Sequence, residues 1–481
     1  MIFPFAARRL LPALMFLIAL MPAHVFAQAP LGVVPKNTKI ETFDFGRFGT
    51  VHMYVPLGEI KNVAIFAGGD GRWDEGVGDM AQFLANDGAL IIGIDTIAYL
   101  ESLNSSTERC GYIGADLEAL AHAAEKRYAL KTYMLPVIAG YSSGASLMYA
   151  ALAQAPKGTF KGALGLGFCK DMDLHRPVCG GRGLATLPAK EGITLQPMRT
   201  LGEPWTVLHG RTDEACAFDI TSDFMKQVTG STLVPLEKVG HGFAAGKRWH
   251  PQYLDAYRDL QKPLVRAPLP KEVDDLPLNE VPATGGKVTN AFAVLITGDG
   301  GYAGLDRDLA AGLAKAGIPV VVLNSLKYFW EARTAKETAQ DVARIVEYYA
   351  QQWQRNRVLL VGYSFGANIL PAVANLLDPT VQARVDSVSL IGLEPKASFE
   401  IRVAGWLGKE AGEQAVLPEI QKLAVAHVPM LCIRGTEEKD SLCESLTPAL
   451  AHVEVLPGGH HYNGKFSALV QAILASRPVA Q

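Results

Sequence analysis

A serine stands between two glycines at the end of an apolar run in the C-terminal half of the chain. The segment Gly362-Tyr363-Ser364-Phe365-Gly366 follows four apolar residues and precedes a run with helical composition. A strand, a sharp turn and a helix in this order hold the serine hydroxyl clear of the sheet edge. The small residues on either side of the serine let the strand and the helix pass closely. The next backbone N–H, that of Phe365, then points to where an oxyanion forms. We therefore predict Ser364 as the nucleophile of an acyl-transfer site.

A serine nucleophile needs a histidine that accepts its proton and a carboxylate that holds the histidine. A Gly-Gly-His-His sequence late in the chain offers His460 and His461, and both are candidates for the base. The carboxylate is expected after the apolar stretch of residues 429–433, where Glu438 and Asp440 occur. An internal repeat favours Asp440. Glu438 remains the alternative, because it lies as many residues after its glycine as Asp213, in the first half, lies after its own.

The second N–H of an oxyanion hole is expected in a glycine-rich turn after the first long strand of this half. The turn that begins at Gly298 follows the apolar residues 293–296. An N–H of Asp299 or Gly300 would act together with that of Phe365. The side chain of Asp299 is expected to shape the turn rather than to take part in the chemistry.

The N-terminal half repeats this arrangement. A second Gly-x-Ser-x-Gly pattern surrounds Ser142, and Asp213 and His241 follow it in that order. Serine, then acid, then histidine is the chain order of the α/β-hydrolase fold. Corresponding residues recur at a nearly constant spacing, and Asp70 and Asp299, for example, lie 229 residues apart. A duplicated domain explains this spacing, so the sequence predicts a possible second triad.

Strands alternate with helices in both halves, which predicts parallel sheets. The expected fold is α/β, with two tandem α/β-hydrolase-like domains, each a mainly parallel doubly wound sheet with a lid excursion. The first domain would span residues 28–261 and the second residues 291–481. The intervening residues 262–290 are rich in proline and acids and are predicted to form an extended linker.

A lid over Ser364 is expected from residues 394–424, between the later strands of the second sheet. Acids there could meet a cationic group, and aromatic residues could touch a bilayer. The alternative is an ordinary helical excursion whose acids are solvated. The residues concerned are Glu394, Glu400, Phe399 and Trp406.

The first 27 residues have the pattern of an export signal. Arg8 and Arg9 precede an apolar run at residues 10–20, and a small-residue cleavage pattern ends at Ala27. The apolar run is too short to span a bilayer comfortably. We therefore expect cleavage after Ala27 and an oxidising destination for the mature chain.

The six cysteines are disulfide candidates in such a compartment. Cys432 and Cys443 are the only pair in the C-terminal half, and we predict that they are bonded. The other four allow three pairings. No Cys/His spacing typical of a metal site is present, so neither a metal nor a cofactor is predicted. A net charge of −3 offers no basic field for nucleic acid.

The C-terminal half resembles the VirJ family, and the whole chain resembles the two-domain AcvB-like members of this AcvB/VirJ family. The resemblance rests on five motifs, at residues 296–302 (ITGDGGY), 324–330 (NSLKYFW), 361–367 (VGYSFGA), 438–443 (EKDSLC) and 458–462 (GGHHY). It implies a periplasmic serine hydrolase that cleaves the aminoacyl ester of lysyl-phosphatidylglycerol to lysine and phosphatidylglycerol. It also implies contact with anionic and aminoacylated phospholipid at the outer face of the inner membrane, and a link to virulence.

Two other functions are compatible with the sequence. One is a periplasmic carboxylesterase or thioesterase acting on small substrates. The other is a non-enzymatic adaptor for type IV secretion substrates, with secretion-system components as partners. In the N-terminal copy, Arg72 stands where the C-terminal copy has Gly301, beside the expected oxyanion hole. We therefore expect the N-terminal domain mainly to support or position the C-terminal one.

Overall fold

The computed structural model describes residues 37–108, 110–262, 271–287, 289–402, 413–464 and 466–476. The predicted signal segment and Trp406 lie outside the described residues. Among the helices that are described, none combines the length and the apolar character needed to cross a membrane.

The N-terminal half forms a large sheet and a small one. Its strands are β1 (Thr38–Asp44), β2 (Thr50–Pro56), β3 (Asn62–Ala67), β4 (Ala89–Ile94), β5 (Val137–Tyr141), β6 (Gly162–Leu166), β7 (Asp171–Met172), β8 (Thr186–Pro188), β9 (Ile193–Leu195), β10 (Thr200–Gly210) and β11 (Thr229–Leu236). Within the described residues, the large sheet has the order β1-β2-β4-β3-β5-β6-β10-β11, and the small one β7-β9-β8. β1 and β2 pair in antiparallel fashion, as do β2 and β4, and the neighbours from β4 to β11 are parallel.

Helices cover both faces of this sheet, as a parallel sheet requires. They are α1 (Glu75–Ala85), α2 (Thr96–Ser105), α3 (Ile113–Arg127), α4 (Ser143–Gln154), α5 (Phe218–Met225) and α6 (His250–Gln261). Successive side chains of β3 alternate between two apolar cores: Val63 and Ile65 belong to one, and Ala64 and Phe66 to the other. The apolar runs in the sequence therefore correspond to strands buried on both faces.

The C-terminal half repeats the plan. Its strands are β12 (Leu278–Val281), β13 (Ala291–Ile296), β14 (Val320–Leu323), β15 (Arg357–Tyr363), β16 (Val385–Ile391), β17 (Lys396–Ala397), β18 (Gln414–Ala415), β19 (Met430–Gly435) and β20 (His452–Leu456). Its helices are α7 (Gly304–Lys315), α8 (Ser325–Tyr328), α9 (Ala335–Gln352), α10 (Phe365–Asn375), α11 (Pro379–Gln382), and two further helices at Leu417–Val425 and Phe466–Ala475. In the described part, the large sheet has the order β12-β14-β13-β15-β16-β19-β20.

The two large sheets share a run of six parallel strands in the same order. β4-β3-β5-β6-β10-β11 in the first corresponds to β14-β13-β15-β16-β19-β20 in the second. The predicted fold class, two mainly parallel doubly wound sheets, is confirmed. The stretch predicted as a linker contributes one strand, because Leu278–Val281 pairs with β14 in antiparallel fashion.

All six cysteines are paired, as Cys110–Cys179, Cys169–Cys216 and Cys432–Cys443. The predicted Cys432–Cys443 bond is confirmed. The structure also selects one of the three pairings that the sequence left open in the N-terminal half.

The two halves are in direct contact around Trp330. Its indole Nε1 donates a hydrogen bond to the Leu130 carbonyl over 2.6 Å. The Lys126 ammonium lies 4.5 Å from the centre of its ring. Tyr133, from the N-terminal half, is buried in the core of the C-terminal half. The domain that contains the C-terminal site thus packs against the N-terminal domain of the same chain.

Candidate active site

Ser364 occupies a strained turn between β15 and α10. Its φ of 52° and ψ of −116° are unusual for a residue with a side chain. A Cβ at Gly362 would lie 2.6 Å from the carbonyl of Gly366, and a Cβ at Gly366 would lie 2.1 Å from the Ile296 oxygen. Only glycine fits both places. The strand, turn and helix predicted around Ser364 are therefore present.

Three side chains form a hydrogen-bonded chain at this turn. His460 Nε2 lies 2.8 Å from Ser364 Oγ, and His460 Nδ1 lies 2.5 Å from Glu438 Oε1. The second oxygen of Glu438 accepts the N–H of Gly435 over 2.6 Å. This is the order nucleophile, base and orienting acid of a serine triad.

The prediction that Asp440 is the acid is corrected to Glu438. β19 ends at Gly435, and Glu438 is the third residue after it, in a turn closed by its own carboxylate. Asp213 is likewise the third residue after Gly210, the end of β10. The distance from the strand end therefore decides which acid reaches the histidine. Asp440 is exposed.

The choice between the two histidines is also decided. His461 Nδ1 lies 2.9 Å from the hydroxyl of Tyr363, and it is His460 that meets Ser364. The Tyr363 hydroxyl also donates to the His460 carbonyl over 3.2 Å. Tyr363 is a positioning residue that the Gly-x-Ser-x-Gly pattern alone does not indicate, and Tyr141 makes the same bond to the His241 carbonyl at 3.0 Å. The tyrosine before the serine in both motifs was the available signal.

The charges in the site favour a protonated histidine. Burial lowers the pKa of His460, but its hydrogen bond to Glu438 and the negative charge of that residue outweigh burial, so the pKa is raised. The more distant charges of Glu394 and Asp299 act in the same direction. Burial raises the pKa of Glu438, yet the bonds from His460 and Gly435 lower it overall. An imidazolium at His460 would therefore be stabilised.

The oxyanion turn lies beside the nucleophile. A Cβ at Gly298 would be 3.2 Å from the Tyr363 ring and 3.6 Å from Ser364 Cβ, so the turn passes at close range. Phe365 opens α10, and the first N–H groups of a helix have no partner within it. The turn that holds Asp299 and Gly300 thus lies next to the start of α10. That the N–H groups of Phe365 and of Asp299 or Gly300 bind an oxyanion remains a prediction.

The lid region meets the site through Glu394. Asn368 Nδ2 donates to Glu394 Oε2 over 3.1 Å, and Asn368 Oδ1 accepts the N–H of Glu394 over 2.8 Å. Asn368 lies one turn after Ser364 on α10, a spacing that could have indicated it. Glu400 is instead engaged by Lys126, at 3.7 Å. Phe399, one of the aromatic residues that could touch a bilayer, is buried against Phe329.

The N-terminal copy contains a triad with the same geometry. Ser142 Oγ lies 2.9 Å from His241 Nε2, and His241 Nδ1 lies 2.8 Å from Asp213 Oδ2. The other oxygen of Asp213 accepts the N–H groups of Ala215 and Cys216, over 3.0 and 2.8 Å. Burial raises the pKa of Asp213, but the hydrogen bonds from His241 and from the Cys216 N–H lower it overall. All three residues of the predicted second triad are brought together.

One group of metal-ligating side chains is found among the described residues. The ligand atoms of Cys169, Cys216 and His241 lie within 4.8 Å of one another. The two cysteines are joined in a disulfide and therefore offer no thiolate.

The folds and sites define a protein with two α/β-hydrolase-like domains, each carrying a serine–histidine–acid triad. The profile of the family described as "Bacterial virulence protein (VirJ)" matches residues 61–180 and 290–479. These regions make up more than half of the chain, and the chain belongs to the VirJ family. A search of the curated proteins gives no match.

Several solved structures resemble roughly half of the chain. The esterase domain of a Rhodothermus marinus protein is 13% identical, with a TM-score of 0.32, over 47% of this chain and 98% of that one. Est1E from Butyrivibrio proteoclasticus is 14% identical, with a TM-score of 0.31, over 46% and 98%. An α/β serine hydrolase without a lid from Xanthomonas campestris is 19% identical, with a TM-score of 0.29, over 48% and 95%.

Proposed function

We propose that the C-terminal domain is a serine hydrolase of carboxylic esters. The observation that carries this proposal is the hydrogen-bonded chain from Ser364 through His460 to Glu438. Ser364 Oγ attacks the ester carbonyl while His460 Nε2 takes its proton, and the oxyanion accepts N–H groups from Phe365 and the adjacent turn. His460 then gives the proton to the leaving alcohol. Water releases the acyl group from Ser364 by the same route in reverse.

The proposed substrate is lysyl-phosphatidylglycerol, whose lysyl group is held by an ordinary ester. Membership of the VirJ family supports this choice, together with the carboxylates around the nucleophile. Glu394 is exposed, and both Glu394 and Asp299 lie close enough to His460 to influence its pKa. Such carboxylates would attract the ammonium groups of a lysyl ester. The products would be lysine and phosphatidylglycerol.

The proposed location is the periplasm, at the outer face of the inner membrane, where aminoacylated phospholipid would be the partner. The pattern of the first 27 residues supports export. Three disulfides fit an oxidising compartment.

The test is hydrolysis of lysyl-phosphatidylglycerol in vesicles by the purified mature chain, with lysine and phosphatidylglycerol measured as products. Ser364→Ala is expected to lower turnover by about 10⁴-fold or more. Near wild-type turnover by Ser364→Ala would refute the proposal. Lipid profiles of a deletion strain carrying either version then separate hydrolysis from an adaptor role, because an adaptor would work without Ser364.

A further inference from the structure

The N-terminal triad is as complete as the C-terminal one. Its two hydrogen bonds, 2.9 Å from Ser142 to His241 and 2.8 Å from His241 to Asp213, match those of a serine triad. Ser142 has the same strained backbone as Ser364, with φ 55° and ψ −120°. The side chain of His241 is 23% exposed, so one edge of the base is open to solvent. Strain of this kind is maintained only where the surrounding structure enforces it.

The elements of an oxyanion hole are also present. Ser143 opens α4, so its N–H is at the start of a helix, as that of Phe365 is. A Cβ at Gly69 would lie 3.0 Å from the Tyr141 ring and 3.2 Å from Ser142 Cβ. The glycine turn therefore passes as close to Ser142 as its counterpart passes to Ser364.

The replacement of Gly301 by Arg72 does not leave a free charge at this turn. Arg72 Nη2 donates to Glu101 over 2.8 Å, and Nη1 lies 3.9 Å from Asp95. The side chain is 52% exposed and is directed to acids at and before α2. The arginine charge that was expected to disturb the oxyanion hole is therefore paired with two acids.

The two sites differ in what lies beside the histidine. Gly167 and Gly392 both have positive φ, and a Cβ on either would meet the ring of the triad histidine. Two residues after Gly392 stands the carboxylate of Glu394. Two residues after Gly167 stands Cys169, whose sulfur is bonded to Cys216 and lies within 4.8 Å of a ring nitrogen of His241. An uncharged disulfide thus replaces the carboxylate.

We propose that the N-terminal domain is a second serine esterase site that takes carboxylic esters with uncharged acyl groups. Ser142 Oγ forms a bond to the acyl carbon, and its proton passes to His241 Nε2, which is held by Asp213. The bond between acyl carbon and alcohol oxygen breaks, and the alcohol leaves with that proton. Water then adds to the acyl carbon and gives a proton to His241. The bond between Ser142 Oγ and the acyl carbon breaks as Oγ takes that proton back, and the carboxylic acid is released.

The test uses the full mature chain carrying Ser364→Ala, so that the C-terminal site is silent. Hydrolysis of p-nitrophenyl butyrate is expected to persist in this variant and to fall about 1,000-fold or more when Ser142→Ala is added. A fluorophosphonate probe is expected to modify the Ser142 peptide. Adding His241→Gln should abolish this labelling, although the serine is still present.

Two controls test for effects of substitution elsewhere and for loss of folding. Ser105→Ala, at an exposed position at the end of α2, should leave both readouts of the Ser364→Ala chain unchanged. Circular dichroism of the double variant should match that of the parent. The proposal is overturned if the Ser364→Ala chain hydrolyses the ester no faster than the folded double variant and takes no probe at Ser142. That result would leave the C-terminal proposal untouched, since the two sites share no residue.

Discussion

At the scale of single residues, the two triads hold their histidines with different acids. Glu438 has the longer side chain, so one oxygen reaches His460 while the other closes the turn at Gly435. Asp213 is shorter, and its second oxygen takes two N–H groups of the following loop. In both, the carboxylate is fixed by backbone donors before it meets the histidine. Such fixing keeps the imidazole in the tautomer that can accept the serine proton.

Glu438→Gln is expected to lower kcat by about 10³–10⁴-fold, because an amide can hold the histidine in the wrong tautomer. Asp440→Asn, two residues away and exposed, should stay within about twofold of wild type, as surface changes usually do. Both are measured as kcat on one ester substrate in a Ser142→Ala background, so that the N-terminal triad does not contribute. The opposite ranking would restore Asp440 as the acid.

The pH dependence follows from His460. The base must be neutral to accept a proton, and its pKa in the free enzyme is raised above the ordinary value because Glu438 outweighs burial. The acidic limb of kcat/KM should therefore lie above pH 6.5, with activity rising as pH rises through it. In the same Ser142→Ala background, residual activity in Glu438→Gln should show the limb at lower pH, since the charge that raises the pKa of His460 is gone. An unmoved limb would contradict this assignment.

Glu394→Gln tests recognition of a cationic acyl group. With lysyl-phosphatidylglycerol, KM should rise about tenfold, the effect of losing roughly 1.4 kcal/mol of charge interaction. With p-nitrophenyl butyrate in a Ser142→Ala background, KM should change little, because that acyl group has no charge. Equal effects on both substrates would indicate that Glu394 only positions Asn368.

At the scale of elements, each acid loop is tied down by a disulfide, by different routes. Cys443 follows the acid Glu438 and is bonded back to Cys432 within β19. Cys216 follows Asp213 but is bonded to Cys169, beyond the end of β6. In both cases the bond anchors the chain a short way after the acid, at Cys216 or at Cys443. The loop that carries the acid is therefore held against the sheet.

Replacing Cys432 and Cys443 together by alanine should destabilise the C-terminal domain by about 2–4 kcal/mol. The measurement is denaturant unfolding monitored alongside ester hydrolysis in a Ser142→Ala background, and this hydrolysis should also fall because the acid loop loses its anchor. Replacing Cys110 and Cys179 is the comparison, since that bond lies in the other domain and should leave the C-terminal transition in place. Labelling of both Cys432 and Cys443 as free thiols in native protein would contradict the bond itself.

At the scale of the whole molecule, the N-terminal domain reaches the C-terminal site. A Cβ at Gly300, in the oxyanion turn, would lie 3.9 Å from Glu118 Oε1 on α3. Burial and the charge of Asp299 raise the pKa of Glu118 to about 8, so this carboxyl is mostly protonated at neutral pH. The same helix carries Lys126, whose ammonium lies over the Trp330 ring. The domain interface and the C-terminal oxyanion turn are thus neighbours.

Trp330→Ala is expected to lower the free energy of unfolding by about 3–5 kcal/mol, because a side chain only 2% exposed leaves a cavity between the domains. Trp330→Phe keeps most of the apolar volume and loses the bond to Leu130, so it should cost less. Both are measured by chemical denaturation. A change below about 1 kcal/mol in Trp330→Ala would show that the interface stabilises neither domain.

The sequence by itself determined the features that depend on local backbone geometry. The Gly-x-Ser-x-Gly turns were predictable because only glycine allows strand and helix to approach around Ser364 and Ser142. The duplication was visible in residue spacing, and the Cys432–Cys443 bond followed from the lack of another partner in its half.

Only the tertiary structure decided how residues far apart in the chain meet. In the folded chain, Glu438 and not Asp440 contacts the histidine, and His460 and not His461 contacts the serine. The four N-terminal cysteines form one of their three possible pairings. The tertiary structure also turned Arg72 towards Glu101 and made an edge strand of Leu278–Val281. The physical reason is that loop paths are set by long-range packing. Two candidates a residue or two apart look alike in sequence, yet their side chains leave the backbone in different directions once the loop is folded.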